Sequence, residues 1–184
     1  KQDLVIYAGT FSKTLIPGLR VGYMVVTGKH YQPLVERKLM NDVHTSTISQ
    51  AIVSEYLGSG HYRRHRKKLQ TENLLSRNLM LQAMETYFPQ EAKWTVPKGG
   101  LFLWVQLPEN IDISEIRQQA IKENVLFASG SAFFPDKQGY PAMRLSFSNS
   151  SESEIDLGIS ILGEILKKSI YTGRDNYLNQ QLLI

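Results

Sequence analysis

Gly9-Thr10-Phe11-Ser12-Lys13-Thr14-Leu15-Ile16-Pro17-Gly18-Leu19-Arg20-Val21-Gly22-Tyr23 is the stretch on which the reading of this chain turns. It is bracketed by two apolar runs, Leu4-Val5-Ile6-Tyr7-Ala8 and Val21-Gly22-Tyr23-Met24-Val25-Val26. A short unbroken apolar run suits a strand covered on both faces, as in a parallel sheet. The polar residues between the runs, with Pro17-Gly18, have turn chemistry. A lysine directly after a buried strand then lies at the carboxyl end of a sheet, where open α/β folds bind ligands. Such an amine is a nucleophile only when deprotonated. Its ordinary pKa of about 10.4 means that the site must favour the neutral or condensed form. Thr10 and Ser12 flank Lys13, and Arg20 follows seven residues after it. Hydroxyls with a guanidinium make a cradle for a phosphate dianion. Gly18 is expected to let the turn bring Arg20 back toward it. Taken singly, each residue reads as part of an exposed polar loop; only the whole string points to a site.

Downstream, a short helix is expected over about Lys29–Lys38, and a second over about Thr47–Leu57, stopped by Gly58-Ser59-Gly60. A long helix follows from about His61 to Tyr87, with Leu69, Leu74, Leu75, Leu79, Leu81 and Met84 at roughly helical spacing and Phe88-Pro89 as its stop. Trp94-Thr95-Val96-Pro97 and Leu101–Leu107 read as strands about the turn Lys98-Gly99-Gly100. Asp112 or Ser114 opens a helix to about Glu123, and Val125–Ala128 and Met143–Phe147 read as further strands. Ser151 with Glu154 forms a capping-box signal for a last helix to about Lys168, and the tail from Tyr171 to Ile184 is left unassigned.

A second constellation lies in Met143-Arg144-Leu145-Ser146-Phe147-Ser148-Asn149. Strand alternation puts Arg144, Ser146 and Ser148 on the face opposite Met143, Leu145 and Phe147. A guanidinium there needs a partner: an internal carboxylate in a salt bridge, or a ligand carboxylate gripped by its fork.

The bulk properties exclude several classes. The 184 residues are 42% hydrophobic and 21% charged, an ordinary globular composition. No apolar stretch reaches the roughly 18–20 residues that span a bilayer, and no signal-peptide pattern is present. The chain has no cysteine, which removes disulfides, thiolate metal sites and cysteine nucleophiles. A net charge of +4 is mild for this length and is no nucleic-acid footprint. The denser run from His61 to Lys68 reads as a solvated helix face, its positive charges at the less favourable end of the helix dipole. His30, His44, His61 and His65 show no metal-ligand spacing. The chain starts without Met and almost directly with a strand-like run, so a fragment of something longer is expected.

Gly9-Thr10-Phe11-Ser12-Lys13, the Pro17-Gly18 turn and Arg20-Val21-Gly22-Tyr23 together resemble the lysine motif of fold-type I pyridoxal-5′-phosphate (PLP) enzymes, the class I/II aminotransferases. Arg144-Leu145-Ser146-Phe147-Ser148 before the last helix is similar to the family segment whose arginine binds the substrate α-carboxylate. Val96-Pro97-Lys98-Gly99-Gly100 with the strand after it, and Ser129-Gly130-Ser131-Ala132-Phe133-Phe134-Pro135, resemble small-domain segments of the same family, with Ser129 in place of the usual proline. The resemblance runs from about Leu4 to Lys168 and implies an α/β fold. Residues 1–60 would be the C-terminal part of the PLP-binding large domain, 61–90 a connecting long helix, 91–170 an α+β small domain and 171–184 a tail.

By the same resemblance, Lys13 is the catalytic residue that holds pyridoxal 5′-phosphate through an imine and shuttles a proton. Thr10, Ser12 and Arg20 bind the cofactor's phosphate, Arg144 binds the substrate carboxylate, and no metal is used. The implied partners are an amino acid and a 2-oxo acid, in a cytoplasmic protein that is a homodimer when full length. Gly60-His61-Tyr62-Arg63-Arg64-His65 is similar to the aminotransferase-like domains of MocR/GntR-type regulators and of 2-aminoadipate-aminotransferase-like enzymes. The alternative parent is therefore a transcriptional regulator that senses PLP or an amino acid, touching DNA only through an N-terminal domain not in this sequence. The family residues that pair with the pyridine nitrogen, stack on the ring and contact O3′ have no assignable counterpart in this sequence. This stretch alone is expected to bind PLP weakly and to catalyse nothing.

Overall fold

The computed structural model describes residues 5–135 and 139–181. The chain divides into two compact units, Lys1–Gln70 and Thr71–Ile184.

In the first unit, strands β1 (Tyr7–Thr10) and β2 (Gly22–Val25) pair antiparallel, with Gly9 opposite Tyr23 and Thr10 opposite Gly22. This corrects the expectation of a parallel sheet. Among the described residues no third strand joins the pair, so both backbone edges are open. Tyr7, Met24 and Val25 are more than half exposed, at 58%, 51% and 55%. The apolar runs are real, but neither face is covered. Local packing compensates in part. The Tyr23 ring lies across Gly9, so a β-carbon built on Gly9 would fall onto that ring. The same ring approaches Phe11 at 5.5 Å and Tyr7 at 6.1 Å between centroids. An aromatic laid over a cross-strand glycine restores the packing that the missing side chain forgoes.

Helix α1 (Tyr31–Asp42) follows a single 3-10 turn at Gly28–His30, so it starts and ends later than its sequence pattern predicts. Lys38 and Asp42 form an exposed pair one helical turn apart at 3.0 Å. Helix α2 (Thr47–Gly58) is capped by Ser46, whose hydroxyl accepts from the Ser49 amide at 3.4 Å. Gly60, with φ of 77°, turns the chain out of α2 into α3 (His61–Tyr87), and the unit boundary falls within α3.

The second unit holds a four-stranded antiparallel sheet in the order β3 (Lys93–Trp94), β4 (Phe102–Gln106), β6 (Ala142–Ser146), β5 (Ala128–Ser129). Period-two alternation divides its faces. Leu103 pairs with Leu145 and Val105 with Met143, and all four are buried. They pack into one core with Met80 and Met84 of α3, Ile116 of α4 (Ile113–Lys122) and Ile155, Leu162 and Leu166 of α5 (Glu152–Gln181). Each such side chain contributes about 1.5–3 kcal/mol on burial. Leu74 and Leu75, expected on the apolar stripe of α3, are instead about half exposed, at 50% and 52%.

Two boundaries differ from the sequence reading for identifiable reasons. The strand expected from Val125 begins only at Ala128. Asn124, with φ of 59°, closes α4 in a left-handed turn, and the Val125 amide is spent on the Ala120 carbonyl at 2.9 Å. That is the double-bonded C-terminal closure of a helix. Helix α5 runs through to Gln181, well beyond the expected end near Lys168, because Gly173 has no proline after it to stop the helix.

The capping box at the start of α5 is formed in full. The Ser151 hydroxyl accepts from the Glu154 amide at 3.3 Å, and Glu154 Oε2 accepts from the Ser151 amide at 2.7 Å. The Ser151 backbone bond, and then its side-chain bond, hold the Glu154 carboxyl below its ordinary value. A depressed folded-state pKa contributes stability above the unfolded value that is lost as pH falls through the folded one. Wild type should therefore be more stable than Glu154→Gln at neutral pH, with the gap closing as pH falls below about 4.3. Chemical denaturation as a function of pH measures this, and a pH-independent gap would contradict it. At the other end of the chain, Gly9→Ala should cost about 0.5–1.5 kcal/mol by displacing the Tyr23 ring. In a Tyr23→Ala background the same change should become neutral or stabilising, since alanine restricts the unfolded chain. Equal cost in both backgrounds would rule out the ring packing.

Candidate active site

The connection between β1 and β2 is a closed loop. The Phe11 amide donates to the Val21 carbonyl at 3.1 Å, so every residue from Ser12 to Arg20 belongs to one lariat at the end of the strand pair. Inside it, the Leu15 amide donates to the Phe11 carbonyl at 2.8 Å, folding a single turn with Lys13 at its middle. The Thr10 hydroxyl donates to the Ser12 hydroxyl at 3.0 Å and accepts from the Ser12 amide at 3.1 Å. Thr10 and Ser12 are thereby brought together. The Ser12 hydroxyl hydrogen remains available to a ligand.

Lys13 is exposed, and among the described residues its ammonium has no hydrogen-bond or ionic partner. Arg20 is exposed as well, and its guanidinium makes one long contact, Nη1 to the Pro17 carbonyl at 3.5 Å. Its backbone takes the left-handed conformation, φ 53° and ψ 38°, at the end of the 3-10 turn Pro17–Leu19. This corrects the role given to Gly18, which sits within that turn without a positive φ. Pro17 presets the first residue of the turn. Arg20 itself makes the reversal, at about 1–2 kcal/mol for an L-residue. The side-chain interactions that the sequence reading missed are those of Tyr62. Its hydroxyl donates to the Thr14 hydroxyl at 3.1 Å, and its ring meets Phe11 edge-on at 5.9 Å. Nothing in the sequence spacing links position 62 to position 14.

In the second unit Arg144 lies on β6, on the sheet face opposite the core, between Trp104 of β4 and Ala128 of β5. Its guanidinium carbon sits 4.0 Å from the centroid of Phe102 and 4.4 Å from that of Phe133. Among the described residues no carboxylate pairs with it, so the internal salt bridge left open by the sequence does not occur there. Two rings hold the cation by its π faces, and its N–H edge is left to bond elsewhere. Trp104 extends the cluster, meeting Phe133 and Phe134 edge-on at 5.7 and 5.9 Å, and its indole N–H donates to the Tyr140 hydroxyl at 3.2 Å. Ser146 and Ser148 exchange a hydroxyl bond at 3.1 Å. Among the described residues there is no group of three or more His, Asp or Glu placed to hold a metal ion. No described helix is long and apolar enough to cross a membrane.

Comparison with known proteins gives this geometry a family. The family model "Aminotransferase class I and II" matches residues 1–162. An aromatic-amino-acid aminotransferase of Thermococcus litoralis is 37% identical over 170 residues, covering 92% of this chain and 41% of that protein. An uncharacterized HTH-type transcriptional regulator of Bacillus subtilis is 34% identical over 168 residues, covering 91% and 34%. Among solved structures, an α-aminoadipate aminotransferase of Thermus thermophilus, complexed with N-(5′-phosphopyridoxyl)-L-leucine, superposes with a TM-score of 0.82. It is 35% identical and is matched over 91% of this chain and 43% of its own. The chain thus spans less than half the length of the relatives it matches. With the lysine loop, the arginine strand and a matching model over most of its length, the chain belongs to the class I and II aminotransferase family.

Proposed function

We propose that the protein carrying this chain is a PLP-dependent aminotransferase that moves an amino group from an amino acid to a 2-oxo acid. The observation that supports this most strongly is the loop closed by Phe11 and Val21. It gathers an unpartnered amine, a joined pair of hydroxyls and a nearly free guanidinium at one end of a strand pair. The donor set fits pyridoxal 5′-phosphate. A dianionic phosphate asks for O–H and N–H donors and a fixed positive charge, which Ser12, its hydroxyl oriented by Thr10, and Arg20 have to offer. An aldehyde asks for an amine, and Lys13 is the one in the loop.

Each residue then has a separate task. Arg20 and Ser12 hold the phosphate tail, so that the reactive end cannot drift from Lys13. Lys13 would hold the cofactor through its amine. With that amine free, its Nζ would take the proton from the substrate Cα and return it on the way to product. Arg144, held against the rings of Phe102 and Phe133, would take the substrate carboxylate through its fork. The cofactor, when bound, supplies the electron sink that makes the Cα proton removable. The family likeness further supports a homodimer. The same likeness is the ground for placing the protein in the cytoplasm.

The similarity to a helix-turn-helix regulator supports a second reading, in which the same fold senses PLP or an amino acid. Finding a helix-turn-helix segment ahead of this stretch in the full-length protein, with sequence-specific DNA binding, would favour that reading.

The test is a half-reaction. Full-length protein loaded with pyridoxal 5′-phosphate and given aromatic amino acids or 2-aminoadipate, with no oxo acid, should convert the cofactor to pyridoxamine phosphate. Lys13→Ala should slow this at least about a hundredfold. No conversion with any common amino acid, or conversion undisturbed in Lys13→Ala, contradicts the proposal.

A further inference from the structure

The basic run that opens α3 has no part in the chemistry above, yet two of its residues, Tyr62 and His65, leave the solvated face. Tyr62 is half-buried while Arg63, Arg64, Arg66, Lys67 and Lys68 around it are exposed. Its hydroxyl donates to Thr14 Oγ1 at 3.1 Å, across 48 positions of sequence. Its ring meets Phe11 at 5.9 Å with a 75° tilt. Phe11 and Thr14 are the two loop residues that flank Lys13 at −2 and +1, so one side chain touches the loop on both sides of the amine.

The other bonds that shape this turn are local. Phe11 to Leu15, Thr10 to Ser12 and Phe11 to Val21 all stay within the β1–β2 connection. They fix the shape of the loop without fixing it to a more distant element. Tyr62 supplies that anchor, and its own position is set. The start of α3 is tied by His61 Nδ1 with the Ser59 hydroxyl at 2.7 Å, by His61 stacked on Tyr56 at 5.9 Å, and by the positive φ of Gly60.

We propose that Tyr62 is a positioning residue for the reaction: it clamps the Phe11–Thr14 turn to α3 and so fixes where Lys13 starts from. The inference rests on the aminotransferase reading for its kinetic consequence, but not for its structural one. A partly buried hydroxyl bond whose loss costs about 1 kcal/mol keeps the open form of the turn roughly five- to tenfold rarer. A lysine on a wandering turn loses proton-transfer geometry before it loses substrate affinity.

The experiment uses the full-length protein with pyridoxal 5′-phosphate bound. Tyr62→Phe keeps the ring and removes the donor, Thr14→Val removes the acceptor, and Thr14→Ser keeps a hydroxyl. Amide hydrogen exchange over residues 11–15 is read beside kcat and KM for the amino acid. Tyr62→Phe and Thr14→Val should each speed exchange and lower kcat by about five- to tenfold, with KM within about twofold. The double variant should be no worse than either single change, and Thr14→Ser should restore both readouts. The proposal is overturned if either readout stays at the wild-type value in both single variants, or if their effects add in the double. A protein that shows the coupled exchange but no half-reaction sinks the aminotransferase reading and leaves the clamp standing. One that turns over normally with uncoupled exchange sinks the clamp alone.

Discussion

One hydrogen bond between the Phe11 amide and the Val21 carbonyl closes the loop that carries both Lys13 and Arg20. Without it, Lys13 and Arg20 are two cations on one polar stretch, free to separate. With it, the stretch becomes a ring whose ends are pinned by the β1–β2 ladder, from Thr10 opposite Gly22 to Tyr7 opposite Val25. The ladder has its own local support in the Tyr23 ring over Gly9. The glycine and tyrosine of the lysine motif are thus structural partners, while Ser12, Lys13 and Arg20 are the residues whose polar hydrogens remain to be used. The left-handed backbone of Arg20 is a strain that the closed ring imposes, and such outliers collect where geometry serves a ligand.

The second unit reaches a comparable division of labour by strand alternation. One sheet face is spent wholly on a core of Leu103, Val105, Met143 and Leu145 against three helices. That leaves the opposite face for Arg144 and its aromatic surroundings. The same period of two that buries Met143 and Leu145 obliges Arg144 to face away from them. Phe102 and Phe133 then stand where a half-buried arginine would otherwise have a carboxylate. They hold the charge without neutralising it, and a guanidinium so held keeps its hydrogen-bonding fork for a ligand.

Much of this could be read from residue order. The helices His61–Tyr87 and Thr47–Gly58, the capping box at Ser151 and Glu154, and the outward face of Arg144 follow from local rules of spacing and capping, which the structure obeys. The failures share a cause. Whether β1 and β2 are covered depends on neighbours that no apolar run can specify. The late start of β5 depends on which carbonyl the Val125 amide chooses. The turn at Arg20 looked like the work of Gly18 because glycine is the usual residue for positive φ, whereas Pro17 made the preceding turn rigid and displaced the reversal by two residues. The Tyr62–Thr14 bond and the ring pair around Arg144 are contacts between positions far apart in sequence, and nothing in one sequence marks them.

The central claim concerns one nitrogen among many. Incubating the full-length protein with pyridoxal 5′-phosphate, reducing with borohydride and mapping the phosphopyridoxyl group by peptide mass spectrometry tests it most directly. A single stoichiometric label is expected on the peptide that contains Lys13. Label on a different lysine, or a thin scatter over surface lysines with Lys13 unmodified, would contradict it.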